Sequence, residues 1–64
     1  MSYGKELARR RLDCGISQEN LAMRAGISAM TVLRYEQGRR TPTIEVGERI
    51  ARVLGCRLKD MLED

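Results

Sequence analysis

Basic residues of one type dominate the charge of this chain and concentrate in its first two thirds. Ten of the twelve basic residues are arginine, whose planar guanidinium suits phosphate groups and the guanine edge. Residues 1–40 contain eight basic and four acidic residues, whereas residues 41–64 contain four basic and five acidic ones. The formal charges of these two segments are therefore +4 and −1. This asymmetry favours an anionic partner over the alternative of an ordinary solvated surface.

The residues needed for catalysis or metal binding are scarce. The chain has no histidine, which is the commonest general base and metal ligand. The carboxylates are scattered, and Gly-rich phosphate-binding motifs are missing. Cys14 and Cys56 are too few for a metal site or a disulfide framework, which predicts free thiols in a reducing cytoplasm. We therefore expect no enzyme activity, no cofactor and no metal. We also expect no membrane span, because the apolar runs are short.

Helix-starting and helix-ending residues divide the chain into short segments. Glycine follows four apolar-periodic runs, and Pro42 is the one proline. The pattern predicts an all-α fold in one domain spanning residues 1–64, with an aliphatic core because Trp and Phe are absent. Five helices are predicted at roughly 2–14, 18–25, 29–37, 44–54 and 58–62. The predicted inner stripe of the fourth helix consists of Ile44, Ile50, Ala51 and Leu54.

The segment from Ser17 to Gly38 predicts two helices joined by a tight turn. Ser17 and Ser28 are helix-capping residue types, and Gly26 permits the positive φ that ends the first of the two helices. Two helices that cross over such a turn would bury Leu21, Ala22, Ala25, Ile27, Val32 and Tyr35. This layout is typical of a helix-turn-helix, whose second helix enters the DNA major groove.

Four motifs in this order resemble the Cro and phage-repressor class of helix-turn-helix proteins, the XRE family: GISQENLA, AGIS, TVLRYEQGRRTPT and RIARVLG. The resemblance implies a compact five-helix, lambda-repressor-like domain and a transcriptional regulator that binds double-stranded DNA. It also implies a dimer on a near-palindromic operator. Arg11 and Glu36 occupy positions that form a buried ion pair in several phage repressors, and two unrelated surface charges are the alternative.

The third helix carries the residues expected to contact DNA. Base contacts are predicted for Ala29, Met30, Leu33 and Arg34. Three of these are apolar, which departs from the family's usual polar residues. Arg34 is the candidate for a bidentate contact to guanine, and the apolar residues suit thymine methyl groups. The alternative for Met30 and Leu33 is packing against the domain itself. Backbone contacts are predicted for Gln18, Ser28, Thr31, Gln37, Arg39 and Arg40.

Two further expectations concern partners. A module that reads a few base pairs needs a second copy, and we expect a weak homodimer that is completed on DNA. Leu58, Met61 and Leu62 are expected to close the monomer's core, and the acidic residues Asp60, Glu63 and Asp64 to oppose pairing of two tails. The alternative function is a protein-interaction module or antitoxin-type protein, which would use the apolar face of the third helix to bind a partner protein.

Overall fold

Five helices make up the computed structural model, which describes residues 2–62. Glu63 and Asp64, which were expected to oppose the pairing of two tails, lie outside the described residues. The helices are α1 (Tyr3–Asp13), α2 (Gln18–Ala25), α3 (Ala29–Glu36), α4 (Ile44–Val53) and α5 (Leu58–Leu62). No strand occurs in this part of the chain, and the all-α prediction is confirmed. None of these helices is long and apolar enough to cross a membrane.

Hydroxyl side chains start the first four helices. Ser2, Ser17, Ser28 and Thr43 are N-caps with extended backbones, and each hydroxyl accepts a hydrogen bond from the amide three residues later. These bonds satisfy amide groups that have no partner within a helix. The capping residues also explain why α1, α3 and α4 are shorter than predicted, since Ser2, Cys14, Gln37 and Leu54 are caps rather than helical residues.

An aliphatic core joins all five helices. The largest fully buried side chains are Leu7, Leu21, Val32, Ile50 and Met61. Of the residues expected to be buried by the helix-turn-helix, Ile27 is half-buried against this core and the others are buried. Two expectations about the core are wrong. Ile44 is 74% exposed and Leu62 is 61% exposed, because they lie at the first and last positions of their helices, beyond the packed layer.

Two glycines allow close contacts between helices. A Cβ atom on Gly4 of α1 would lie 2.8 Å from the Glu36 carbonyl oxygen of α3 and nearer still to that of Tyr35. A Cβ on Gly47 of α4 would lie 3.1 Å from Leu58 Cδ1. The interior glycine of α4 therefore faces a side chain of α5, whereas Gly4 lets two backbones approach each other directly.

A buried carboxylate on α1 binds two of the chain's arginines. Glu6 is only 3% exposed. Its Oε2 accepts hydrogen bonds from Arg9 Nη2 at 2.5 Å and from Arg10 Nε at 2.7 Å. These two bonds lower the pKa of Glu6 below its ordinary value and raise the pKa of both guanidinium groups. Two arginines that contribute to the basic first forty residues are thus engaged within the domain.

Candidate DNA-binding interface

The turn between α2 and α3 is held by backbone bonds and by a side chain from α4. Gly26 ends α2 in the left-handed conformation with a φ of 73°, and the Ile27 amide donates to the Ala22 carbonyl at 3.0 Å. Arg49 Nε donates to the last carbonyl of α2, that of Ala25, at 2.9 Å. The sequence offered no signal for this last bond, because Arg49 lies 24 residues further along the chain. It fixes the end of α2 from which α3 departs.

The outer surface of α3 combines apolar and cationic side chains. Val32 and Tyr35 point into the core with exposures of 0% and 4%. Met30 is 53% exposed, so packing against its own domain does not explain this side chain. Arg34 is exposed one turn further on, and Leu33 is half-buried. Ala29, the remaining predicted base contact, packs partly against the core.

The first turn of α3 contains two hydroxyl groups that bind each other. Ser28 Oγ accepts from the Thr31 amide at 3.1 Å, and it lies 2.8 Å from Thr31 Oγ1. Only one hydrogen can occupy that second contact, so the other hydroxyl hydrogen is available to an outside acceptor. Both residues lie at the positive end of the helix dipole, which favours phosphate.

A buried ion pair links α1 to the end of α3 and extends to the start of α2. Arg11 Nε lies 2.6 Å from Glu36 Oε2, and the side chains of these two residues are 12% and 8% exposed. Arg11 Nη1 also donates to the Ile16 carbonyl at 2.9 Å. The hydrogen bond that Arg11 donates to the Glu36 carboxylate raises the pKa of Arg11 above its ordinary value. The side chain of Gln18 was predicted to contact phosphate, and its Nε2 donates to Glu36 Oε1 at 2.9 Å.

Two exposed arginines follow the end of α3. The amides of Arg39 and Arg40 both donate to the Arg34 carbonyl, at 2.9 and 3.3 Å. These bonds keep the loop against the last turn of the helix, which ends at the exposed cap Gln37. Within residues 2–62, neither Arg34 nor the two loop arginines form an ion pair with a carboxylate. Three exposed guanidinium groups at one end of α3 are therefore without a carboxylate partner among the described residues.

The remaining polar groups do not form a reactive site in the part of the chain that the structure describes. Cys14 is exposed, Cys56 is half-buried, and both are free thiols. Burial raises the pKa of the Cys56 thiol, which reduces its reactive thiolate fraction. No group of three or more potential metal-ligating residues occurs among residues 2–62.

Two capped helices around a tight turn, with an exposed second helix and free arginines beside it, define a helix-turn-helix DNA-binding protein. The helix-turn-helix family model matches residues 7–61. The chain therefore belongs to this family, as its four motifs indicated.

Individual relatives agree with this membership. An uncharacterized HTH-type transcriptional regulator of Methanothermobacter thermautotrophicus is 39% identical over 54 residues, which cover 84% of this chain and 74% of that protein. The clp gene regulator ClgR of Corynebacterium glutamicum has a TM-score of 0.90 at 27% identity, with 94% of this chain and 64% of ClgR covered. The DNA-binding domain of the P22 c2 repressor has a TM-score of 0.94 at 22% identity, over 97% and 82% of the two chains. This last similarity concerns the fold alone.

Proposed function

We propose that this protein is a sequence-specific, double-stranded-DNA-binding transcriptional regulator, acting as a repressor without enzymatic activity. The observation that carries the proposal is the exposed surface of α3, where Met30 and Arg34 project outward and two exposed arginines follow in the adjoining loop. An α-helix of this kind fits the major groove, and the flanking cations neutralise phosphates. The proposed location is the cytoplasm.

Different residues serve affinity and sequence recognition in this proposal. The surface of α3 reads base edges through Ala29, Met30, Leu33 and Arg34. Arg34 binds guanine through two parallel hydrogen bonds, and Met30 contacts a thymine methyl group. Ala29 makes the smallest contribution, because part of its surface already packs against the core. The phosphate contacts come from Gln18, Ser28, Thr31, Gln37, Arg39 and Arg40.

Assembly of two copies on a near-palindromic operator completes the proposal. One recognition helix reads only a few base pairs, and a two-fold site doubles the number read. The exposed Ile44 and Leu62 border an apolar hollow of about 130 Å³, which is large enough for one aliphatic side chain. We propose that a second copy inserts such a side chain there. Because few exposed apolar residues border the hollow, the dimer is weak in solution and strengthened on DNA.

The competing hypothesis is a protein-interaction module that uses the apolar part of α3. Met30 is exposed as that hypothesis requires, but Leu33 and Ala29 are half-buried. The free guanidinium of Arg34 also lies on the same surface. A partner protein would have to cover this cation, and an unpaired buried charge is costly. The surface therefore favours DNA over an apolar protein partner.

A salt titration with matched variants tests the proposal. Binding of the wild type to random-sequence duplex should weaken steeply with salt, and a double Arg39→Ala, Arg40→Ala variant should lower the slope by about 1 for each lost phosphate contact. A double Arg52→Ala, Lys59→Ala variant loses the same charge from exposed positions on α4 and α5 and serves as the control. A salt slope near zero in the wild type would contradict DNA binding.

Selected operators then test sequence recognition. Arg34→Ala should cost about 1–3 kcal/mol on the preferred operator and much less on random duplex. Equal losses on both kinds of DNA would restrict Arg34 to backbone contact. Site selection with Met30→Ala should show a changed preference at a thymine position. Retained DNA binding with no site preference in the wild type would contradict a sequence-specific regulator.

A further inference from the structure

Exposure differs sharply among the three methionines in the part of the chain that the structure describes. Met61 lies in the core at 2% exposure, whereas Met30 and Met23 are 53% and 73% exposed. Only Met30 lies on the outer surface of α3, one residue after the helix begins. Its thioether is therefore open to a dissolved oxidant and belongs to the surface proposed to contact bases.

We propose that Met30 is a site of reversible oxidation by peroxides, and that this oxidation weakens the protein's discrimination between its operator and other DNA. The inference rests on the proposed base contact of this residue. Hydrogen peroxide transfers one oxygen atom to the thioether sulfur, which forms the sulfoxide, and the peroxide is reduced to water. The S–O bond forms as the O–O bond breaks, and the sulfoxide is reducible by methionine sulfoxide reductases.

The effect of this reaction follows from the change in polarity. A thioether contacts a thymine methyl group without needing a hydrogen bond, but a sulfoxide oxygen requires a donor or water. A thymine methyl offers neither, so desolvation of the sulfoxide opposes that contact. The phosphate contacts proposed for Arg39 and Arg40 involve other atoms and persist. Oxidation should therefore reduce operator affinity and leave affinity for random duplex nearly unchanged.

The first measurement maps the oxidised positions. The full chain is treated with hydrogen peroxide, thiol oxidation is reversed with dithiothreitol, and each methionine is followed by peptide mass spectrometry. Met30 and Met23 should be oxidised well before Met61. Oxidation of Met30 no faster than that of Met61 would overturn the proposal, because the residue would then be shielded.

The second measurement compares DNA affinity before and after oxidation in three proteins. Operator affinity of the wild type should fall about fivefold or more, the lower end of the effect of one lost base contact, and recover with the reductase. Met23→Leu should show the same loss. Met30→Leu is compared with its own operator affinity before treatment, and peroxide should not change that affinity. An unchanged operator affinity after full Met30 oxidation would refute the inference, whereas a protein that binds no DNA before treatment would refute the proposed function instead.

Discussion

Removing Glu36 should destabilise the fold far more than removing an exposed acidic residue. The Glu36 carboxylate accepts hydrogen bonds from Arg11 Nε at 2.6 Å, from Arg11 Nη2 at 3.2 Å and from Gln18 Nε2 at 2.9 Å. The Arg11 side chain is only 12% exposed, and in Glu36→Ala its guanidinium would keep only the Ile16 carbonyl as a partner. Breaking a buried ion pair from one side costs about 3–5 kcal/mol, because the other charge is left uncompensated.

We expect a loss of about 3 kcal/mol, at the lower end of that range, because Arg11 keeps one acceptor and some contact with water. Native domains are stable by about 0.05–0.15 kcal/mol per residue, so 64 residues correspond to about 3–10 kcal/mol. The variant would lose a large share of its stability. Its Tm should fall by roughly 10–25 °C, since 1 kcal/mol shifts the Tm of a small domain by about 4–8 °C.

Urea unfolding followed by circular dichroism measures this loss. Glu48→Ala is the matched control, because it removes an exposed carboxylate from a helix and should change stability by about 0.5 kcal/mol or less. A double Arg11→Met, Glu36→Met variant removes both charges and should be more stable than Glu36→Ala. Equal stabilities of Glu36→Ala and Glu48→Ala would refute the reasoning, since leaving Arg11 without its carboxylate would then cost no stability.

Three other features of the fold give direct expectations. Gly4→Ala forces a Cβ against carbonyl oxygens of α3 and should lower the free energy of unfolding in urea by about 1–3 kcal/mol. Gly47→Ala places its Cβ against a flexible side chain and should lower it less. Equal losses of stability in the two variants would contradict this difference in contacts. The pKa of Glu6 is lowered in the folded state, so its stabilisation is present above the ordinary value of 4.5 and is lost as the pH falls through the lower folded value. The stability of Glu6→Gln, measured by urea unfolding, should therefore fall less steeply than that of the wild type below about pH 4.5. An unchanged pH dependence in this range would show that Glu6 does not cause the acid loss of stability. In sedimentation experiments, Ile44→Lys should abolish dimerisation on a palindromic duplex. Leu12→Lys on α1 is the control, because it changes an exposed apolar residue away from the hollow. A dimer that survives Ile44→Lys would exclude the hollow as the interface.

The sequence alone was sufficient for the helices and for the class of protein. Helix starts depend on contacts within four residues, such as that of the Ser28 hydroxyl with the Thr31 amide, and local residue types therefore reveal them. The glycine at position 26 likewise reports a local backbone conformation. The arginines after α3 could be assigned to the surface from their position in a loop between two helices.

Tertiary structure decided which apolar and charged residues are buried. Helical periodicity places Ile44 on the inner stripe of α4, but it does not show how far the neighbouring helices extend along that stripe. Ile44 lies at the first position of α4 and is exposed. Similarly, no local pattern distinguishes the buried Glu6 from the exposed Glu48. Burial of Glu6 depends on the packing around α1 and on two arginines close enough to compensate its charge.

For the candidate site as well, the sequence predicted some features and the packing of the helices decided the others. Residue types and order identified α3 as the recognition helix, because a helix-turn-helix is a local arrangement. The sequence predicted an outward Met30 but left packing against the domain as an alternative, and the packed domain decided between them. The partial burial of Ala29 and the bond between Gln18 and Glu36 emerged only from the packed domain. Each of these depends on the rotation of α3 about its own axis and on its distance from α1. Those two quantities are set by side-chain packing between residues that are distant in sequence, which no local pattern encodes.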